Sequence, residues 1–147
     1  MIQLIRKTSL SVHLLYLNLY DKMTNADYRP LITVTSQLTG KSKTCIFASA
    51  NYAYKDRYVQ LLMYVAPILG AENLSAGSMY LGTTDYPLGF YDVTIYQNTD
   101  DTNIDPTGLT VIYQGLMNLT SDSNTNPVRY TEYNDNDSDT ESVYITI

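Results

Sequence analysis

The chain has 147 residues, 44% of them hydrophobic and only 16% charged, and its aromatic residues are 15 Tyr, 2 Phe and no Trp. This length suits one domain, which buries roughly 68–70% of the unfolded chain's surface; the composition excludes disorder, and one cysteine with one histidine excludes a disulfide framework and makes a poor zinc ligand set. Residues 1 to 73 hold eight of the nine Lys and Arg against four acids, while residues 74 to 147 hold Arg129 against eleven, so a net charge of −6 divides into +4 and −10, and the second half lacks the clustered cations that nucleic acid requires.

In chain order, Arg6 and Lys7 precede an apolar stretch, Val12 to Tyr20, that His13 and Asn18 interrupt. It falls far short of the roughly 20 residues that span a bilayer, and no small-residue cleavage site follows it closely. The expectation is a protein made and used without export. Val12, Leu15, Tyr16, Leu19, Tyr20 and Met23 fit a helical stripe, but the surrounding strand patterns favour a strand buried on both faces. Leu31 to Gln37 and Lys43 to Ala48 flank Leu38-Thr-Gly40-Lys-Ser42 and predict a hairpin. Ala50 to Arg57 lacks alternation and predicts a helical turn, Tyr58 to Val65 a strand, and Pro67 to Gly82 a long loop with a short strand near Met79 to Leu81.

Gly89 to Gln97 puts Tyr91, Val93 and Ile95 on one face of a strand, and Leu109 to Leu119 puts Leu109, Val111, Tyr113, Gly115, Met117 and Leu119 on one face of another. Their connection contains Asp105-Pro-Thr-Gly108, a type I turn pattern. Val128 to Tyr133 and Ser142 to Ile147 predict a last hairpin across the acidic Asn134 to Thr140. About eight short strands without a long helix indicate an all-β fold over residues 1–147, an antiparallel β-sandwich of jelly-roll or immunoglobulin-like type.

Residues that carry chemistry are sparse. His13, the one histidine, lies among Val12, Leu14 and Leu15, and Cys45 lies between Thr44 and Ile46, so both read as core or interface residues. Phosphate-loop, nucleophile-elbow and zincin motifs are absent, so neither an enzyme nor a cofactor is expected. Asp135, Asp137, Asp139 and Glu141 could converge on Ca²⁺ in a loop, but Thr140 and Thr146 stand where an EF-hand needs Gly and Glu, and a solvated acidic tip is the simpler reading. Tyrosine is the compositional signal, because its ring buries area while its hydroxyl stays wet. Tyr52, Tyr54, Tyr58 and Tyr64 gather around Lys55 and Arg57 and form the candidate interface.

Ile46-Phe-Ala-Ser leading into Tyr54-Lys-Asp-Arg-Tyr58, Gly89-Phe-Tyr-Asp-Val-Thr-Ile-Tyr96, Asn103-Ile-Asp-Pro-Thr-Gly-Leu109 and Tyr113-Gln-Gly-Leu116 resemble a family of small β-rich virion proteins. These belong to tailed bacteriophages of Bacteroidetes and marine bacteria, crAss-like phages included. The resemblance spans roughly residues 8 to 120 and brings no catalytic residues. It implies a virion structural protein, a capsid decoration or the capsid-anchoring part of a head fibre, with a neck or tail adaptor as the alternative. Its partners would be capsid, fibre or neck subunits and further copies of the chain, docked with help from cations of the first half, Lys55 and Arg57 included. A separate reading from the tyrosines alone is a glycan-binding module.

Overall fold

The computed structural model describes residues 1–19, 22–24, 28–51, 58–81 and 83–121. These are all-β: strands β1 (Ile2–Arg6), β2 (Ser11–Leu17), β3 (Leu31–Ser36), β4 (Ser42–Ile46), β5 (Ser49–Asn51), β6 (Val59–Ala66), β7 (Ser78–Tyr80), β8 (Gly89–Tyr96) and β9 (Val111–Ser121), with single 3-10 turns at Leu69–Ala71 and Leu74–Ala76. The predicted C-terminal hairpin, the acidic residues Asp135, Asp137, Asp139 and Glu141, and the interface candidates Tyr52, Tyr54, Lys55 and Arg57 lie outside the described residues. Most of the predicted helical turn at 50–57 does too, although Ala50 and Asn51 belong to β5.

Five strands form one sheet in the order β1-β9-β8-β3-β4. In the other sheet, β6 pairs with β2 along one edge and shares its opposite edge between β5 and β7. The expectation of purely antiparallel sheets is corrected, since β1 runs parallel to β9 and β7 parallel to β6. The first arises because the N-terminal strand, which periodicity over five residues did not reveal, buries Ile2 and Leu4 beside the end of β9. The second arises because the long connection after β6 returns the chain to travel in the same direction.

Alternation explains where the core sits. Val59, Leu61, Met63 and Val65 of β6 point inward with Leu15, and meet Ile32 and Val34, Tyr91, Val93 and Ile95, and Met117 and Leu119 from the five-stranded sheet in one buried cluster. Each such side chain contributes about 1.5–3 kcal/mol relative to exposure. Tyr91 is wholly buried, and its hydroxyl donates to the Pro87 carbonyl at 2.5 Å. Burial pushes that phenol up to about 12.

The hairpin of β3 and β4 and the pairing of β8 with β9 follow the sequence pattern. β9 departs from it at one residue. Ile95 pairs with Tyr113 but Tyr96 pairs with Val111, so Ile112 is an extra residue of a β-bulge. The bulge turns Ile112 into the core and leaves Val111 exposed, the reverse of strict alternation. The turn before β9 also lies one residue later than expected. Leu109 N–H donates to the Pro106 carbonyl, with Gly108 at the third position and φ of 78°, as a type II turn requires.

A side-chain clasp joins the two sheets at one margin. Lys43 of β4 reaches Glu72 Oε2 at 2.6 Å and donates to the Tyr80 carbonyl at 2.8 Å, while Tyr80 N–H donates to the same Glu72 oxygen at 2.8 Å. Both charged side chains are largely buried, at 13% and 15% exposure, and the ammonium lies 4.6 Å from the Tyr86 ring centre. The ion pair thus satisfies backbone groups of β7 as a neighbouring strand would.

Gly77 makes the sharing of β6 possible. Its φ is 85°, its carbonyl accepts Tyr64 N–H, and a Cβ there would overlap the backbone nitrogen of Ala48, whose own N–H donates to the Leu62 carbonyl. Gly77→Ala is expected to lower the unfolding free energy by about 2 kcal/mol or more, because a left-handed backbone alone costs about 1–3 kcal/mol and the overlap adds to it. Gly40→Ala, with φ of 72° and open space around it, should lose the backbone part only, and urea denaturation of the two variants separates the contributions. Lys43→Met should cost about 2–3 kcal/mol by leaving Glu72 and the Tyr80 carbonyl without the ammonium, and the double variant with Glu72→Gln should cost less than the sum of the singles.

Candidate interaction surface

The outer faces of the two sheets differ in chemistry. On the five-stranded sheet, Thr33 and Thr44 share a hydrogen bond at 2.7 Å, Thr35 and Ser42 another at 2.7 Å, and Gln37 Nε2 donates to Asp92 at 2.9 Å. This face is largely self-satisfied, interrupted by exposed Ile5, Phe90, Val111 and Leu116. An open groove of about 310 Å³ lies at its margin, lined by Ser36, Gln37, Leu38, Leu88, Gly89 and Phe90.

The outer face of the four-stranded sheet carries an apolar row across β2 and β6, bordered by Gln60 and by Ser49 and Asn51 of β5. Register puts Val12 opposite Tyr64, Leu14 opposite Leu62 and Tyr16 opposite Gln60. Val12, Leu14 and Tyr16 are 59%, 49% and 53% exposed, which corrects the expectation that this strand is buried on both faces. Its inward residues do pack, but among the described residues no second layer covers its outer ones. At one end Tyr58 meets Tyr16 edge to face, with ring centres 5.4 Å apart and planes at 81°. Gln60 Nε2 donates to the Tyr16 hydroxyl at 2.8 Å and fixes that ring.

Of the six interface candidates, Tyr58 and Tyr64 are described, and both accompany this face. They do not cluster: they stand at opposite ends of β6, about 20 Å apart by strand rise. Val12, Leu14 and Leu62 are the residues that sequence reasoning missed. The available signal was an apolar alternation on both faces of β2, which is equally compatible with a covered and with an open outer face.

Cations of the first half are partly engaged within the chain. Lys43 serves the clasp, and Arg29 lies 3.5 Å from Asp101 and donates to the Phe47 and Ala48 carbonyls. Acids of the second half also act internally. Asp100 and Asp105 each accept both the N–H and the hydroxyl of the threonine two residues on, Thr102 and Thr107, and these bonds hold both carboxyls below the usual carboxylate range.

Cys45 is buried, and desolvation pushes its thiol up to about 12. His13 points from β2 towards β1, where Nε2 lies 3.3 Å from the Ile5 nitrogen and 3.2 Å from its carbonyl oxygen. Desolvation lowers its pKa, the Ile5 hydrogen bond partly offsets that, and the charge of Lys7 adds to the lowering. Among the described residues no group of three or more His, Cys, Asp and Glu side chains is placed to hold a metal. Comparison of the chain with protein-family models, curated proteins and solved structures finds no match.

The His13 environment determines a pH dependence. The folded state favours neutral imidazole, so the unfolded chain, with the ordinary value of 6.5, takes up the proton first. The stability that this group contributes is present above that value and is lost as pH falls through it towards the lower folded value. Urea midpoints should therefore decline between about pH 7.5 and 5.5, above the ordinary carboxylate range. His13→Gln, which keeps hydrogen-bonding capacity towards Ile5, should flatten that decline.

Proposed function

We propose that the chain is a non-enzymatic structural protein of a tailed-bacteriophage particle, a capsid decoration or the capsid-anchoring part of a head fibre. In this reading it is a β-sandwich with mixed sheets that works through contacts with capsid, fibre or neck subunits and with its own copies. One observation carries the contact reading: the outer face of the four-stranded sheet is an apolar row of Val12, Leu14, Tyr16, Leu62 and Tyr64, whereas the outer face of the other sheet is largely polar. An apolar face of this kind on a soluble scaffold, with aromatic anchors at both ends, fits the buried centre of a protein interface. The resemblance of residues 46 to 58, 89 to 96 and 103 to 116 to phage virion proteins supplies the setting.

The test is made on particles of the phage that encodes the chain. Mass spectrometry and cryo-EM should find the protein in many symmetric copies, and Leu62→Asp, verified as folded by circular dichroism, should reduce its incorporation about tenfold or more. Purified particles that lack the chain would overturn the reading, and retention of the free protein on host polysaccharide would then favour the glycan-binding alternative.

A further inference from the structure

The two sheets have edges whose backbone groups need partners, and most of these edges are guarded. On β7, Tyr80 N–H and C=O are taken by Glu72 and Lys43. On β1, the Ile5 carbonyl accepts from Ser11 Oγ at 2.6 Å, and the His13 ring lies against both Ile5 backbone groups. β4 carries Lys43 and packs beside the Leu74–Ala76 turn, and β5 is only three residues long. Short length, charge and side-chain capping are the devices that keep strand edges from pairing with other chains.

Among the described residues, β2 has none of them. Ser11-Val-His-Leu-Leu-Tyr-Leu17 is seven residues long, without charge, Pro or Gly. Its described backbone pairing is with β6 alone, and its outward side chains are the most exposed of the apolar row.

We propose that β2 pairs antiparallel with β2 of a second copy across a twofold axis, joining the two four-stranded sheets into one continuous sheet. The segment is self-complementary in that arrangement. With Leu14 on the axis, Leu14 faces Leu14, and Val12 faces Tyr16 of the other copy twice over. On the outer face these are an aliphatic pair and two aromatic with β-branched pairs, combinations that favour strand pairing. Symmetry then makes the contact isologous and closed, so it stops at two copies.

Size supports the same arrangement. Three strands about 4.8 Å apart and about 23 Å long present about 330 Å² of face per copy. A standard interface uses about 800 Å² per partner. Two faces joined edge to edge approach that value, so the dimer supplies a docking surface that one copy lacks. This size argument rests on the subunit-contact reading above, whereas the unguarded edge stands without it.

Sedimentation velocity on the purified full chain tests the pairing apart from any particle. A dimer is expected at micromolar concentration, and Leu14→Lys, which adds two like charges on the axis, should raise its dissociation constant at least about 100-fold. Leu14→Cys provides a second readout that does not depend on that variant folding, because opposed Cβ atoms at the centre of an antiparallel pair are within disulfide reach. Mild oxidation should convert it to a covalent dimer, with buried Cys45 silent and Leu38→Cys, exposed in the β3–β4 turn, cross-linking far more slowly. A chain that stays monomeric at about 100 μM, or a dimer that Leu38→Cys traps as readily as Leu14→Cys, overturns the proposal. So does a monomer in which the Leu14→Cys thiol resists alkylation, which would assign the cover to other residues of the same chain. A monomer that is incorporated into particles removes the pairing and leaves the virion reading standing; a dimer absent from particles does the opposite.

Discussion

The constraint on which the structure depends is the double duty of β6. Its inward row, Val59, Leu61, Met63 and Val65, is the four-stranded sheet's main contribution to the shared core, so the strand has to be held in one register against the other sheet. A one-residue slip would exchange that row for Gln60, Leu62 and Tyr64. Both edges of β6 are accordingly engaged, one by the full length of β2 and the other by two short strands placed end to end. The Gly77 backbone conformation and the Lys43–Glu72 clasp are consequences of that second arrangement. A short parallel strand such as β7 has few ladder bonds of its own and is retained by polar side chains from outside the ladder.

Strand positions on the five-stranded sheet were largely legible because alternation there reports a single buried face. Tyr91, Val93 and Ile95 point to the core as their spacing requires. β1 escaped because five residues at a chain terminus carry too little periodicity, and its partner lies more than a hundred residues away. Parallel pairing escaped for the related reason that nothing local in the chain encodes the direction of a distant neighbour. The shift at Ile112 was hidden because Val111 and Ile112 are both β-branched and apolar.

The candidate surface was only partly legible, and the failure has a physical cause. Tyrosine density drew attention to residues 52 to 64, yet Tyr58 and Tyr64 lie at opposite ends of a strand, and the continuous feature runs across β2 and β6. Sequence distance along one segment is a poor guide to adjacency across a sheet, where neighbours come from different segments. Charge was misleading in a similar way. Arg29 and Lys43 are among the first-half cations, but Asp101 of the acidic half engages Arg29 and Glu72 of their own half engages Lys43, so part of the charge pattern is an internal cross-brace between distant segments.

The bulge in β9 has a consequence for how tightly that strand is specified. Register elsewhere in the five-stranded sheet is protected because a slip exchanges an apolar residue for a polar one. At the start of β9, the extra residue leaves two β-branched side chains, Val111 and Ile112, competing for one inward position. Deleting either would straighten the ladder and still fill the core with an aliphatic group. The start of β9 is therefore where a one-residue change in chain length is best tolerated, while the 98–108 connection before it stays tied to the body by buried Asn98 and by Asp101 on Arg29.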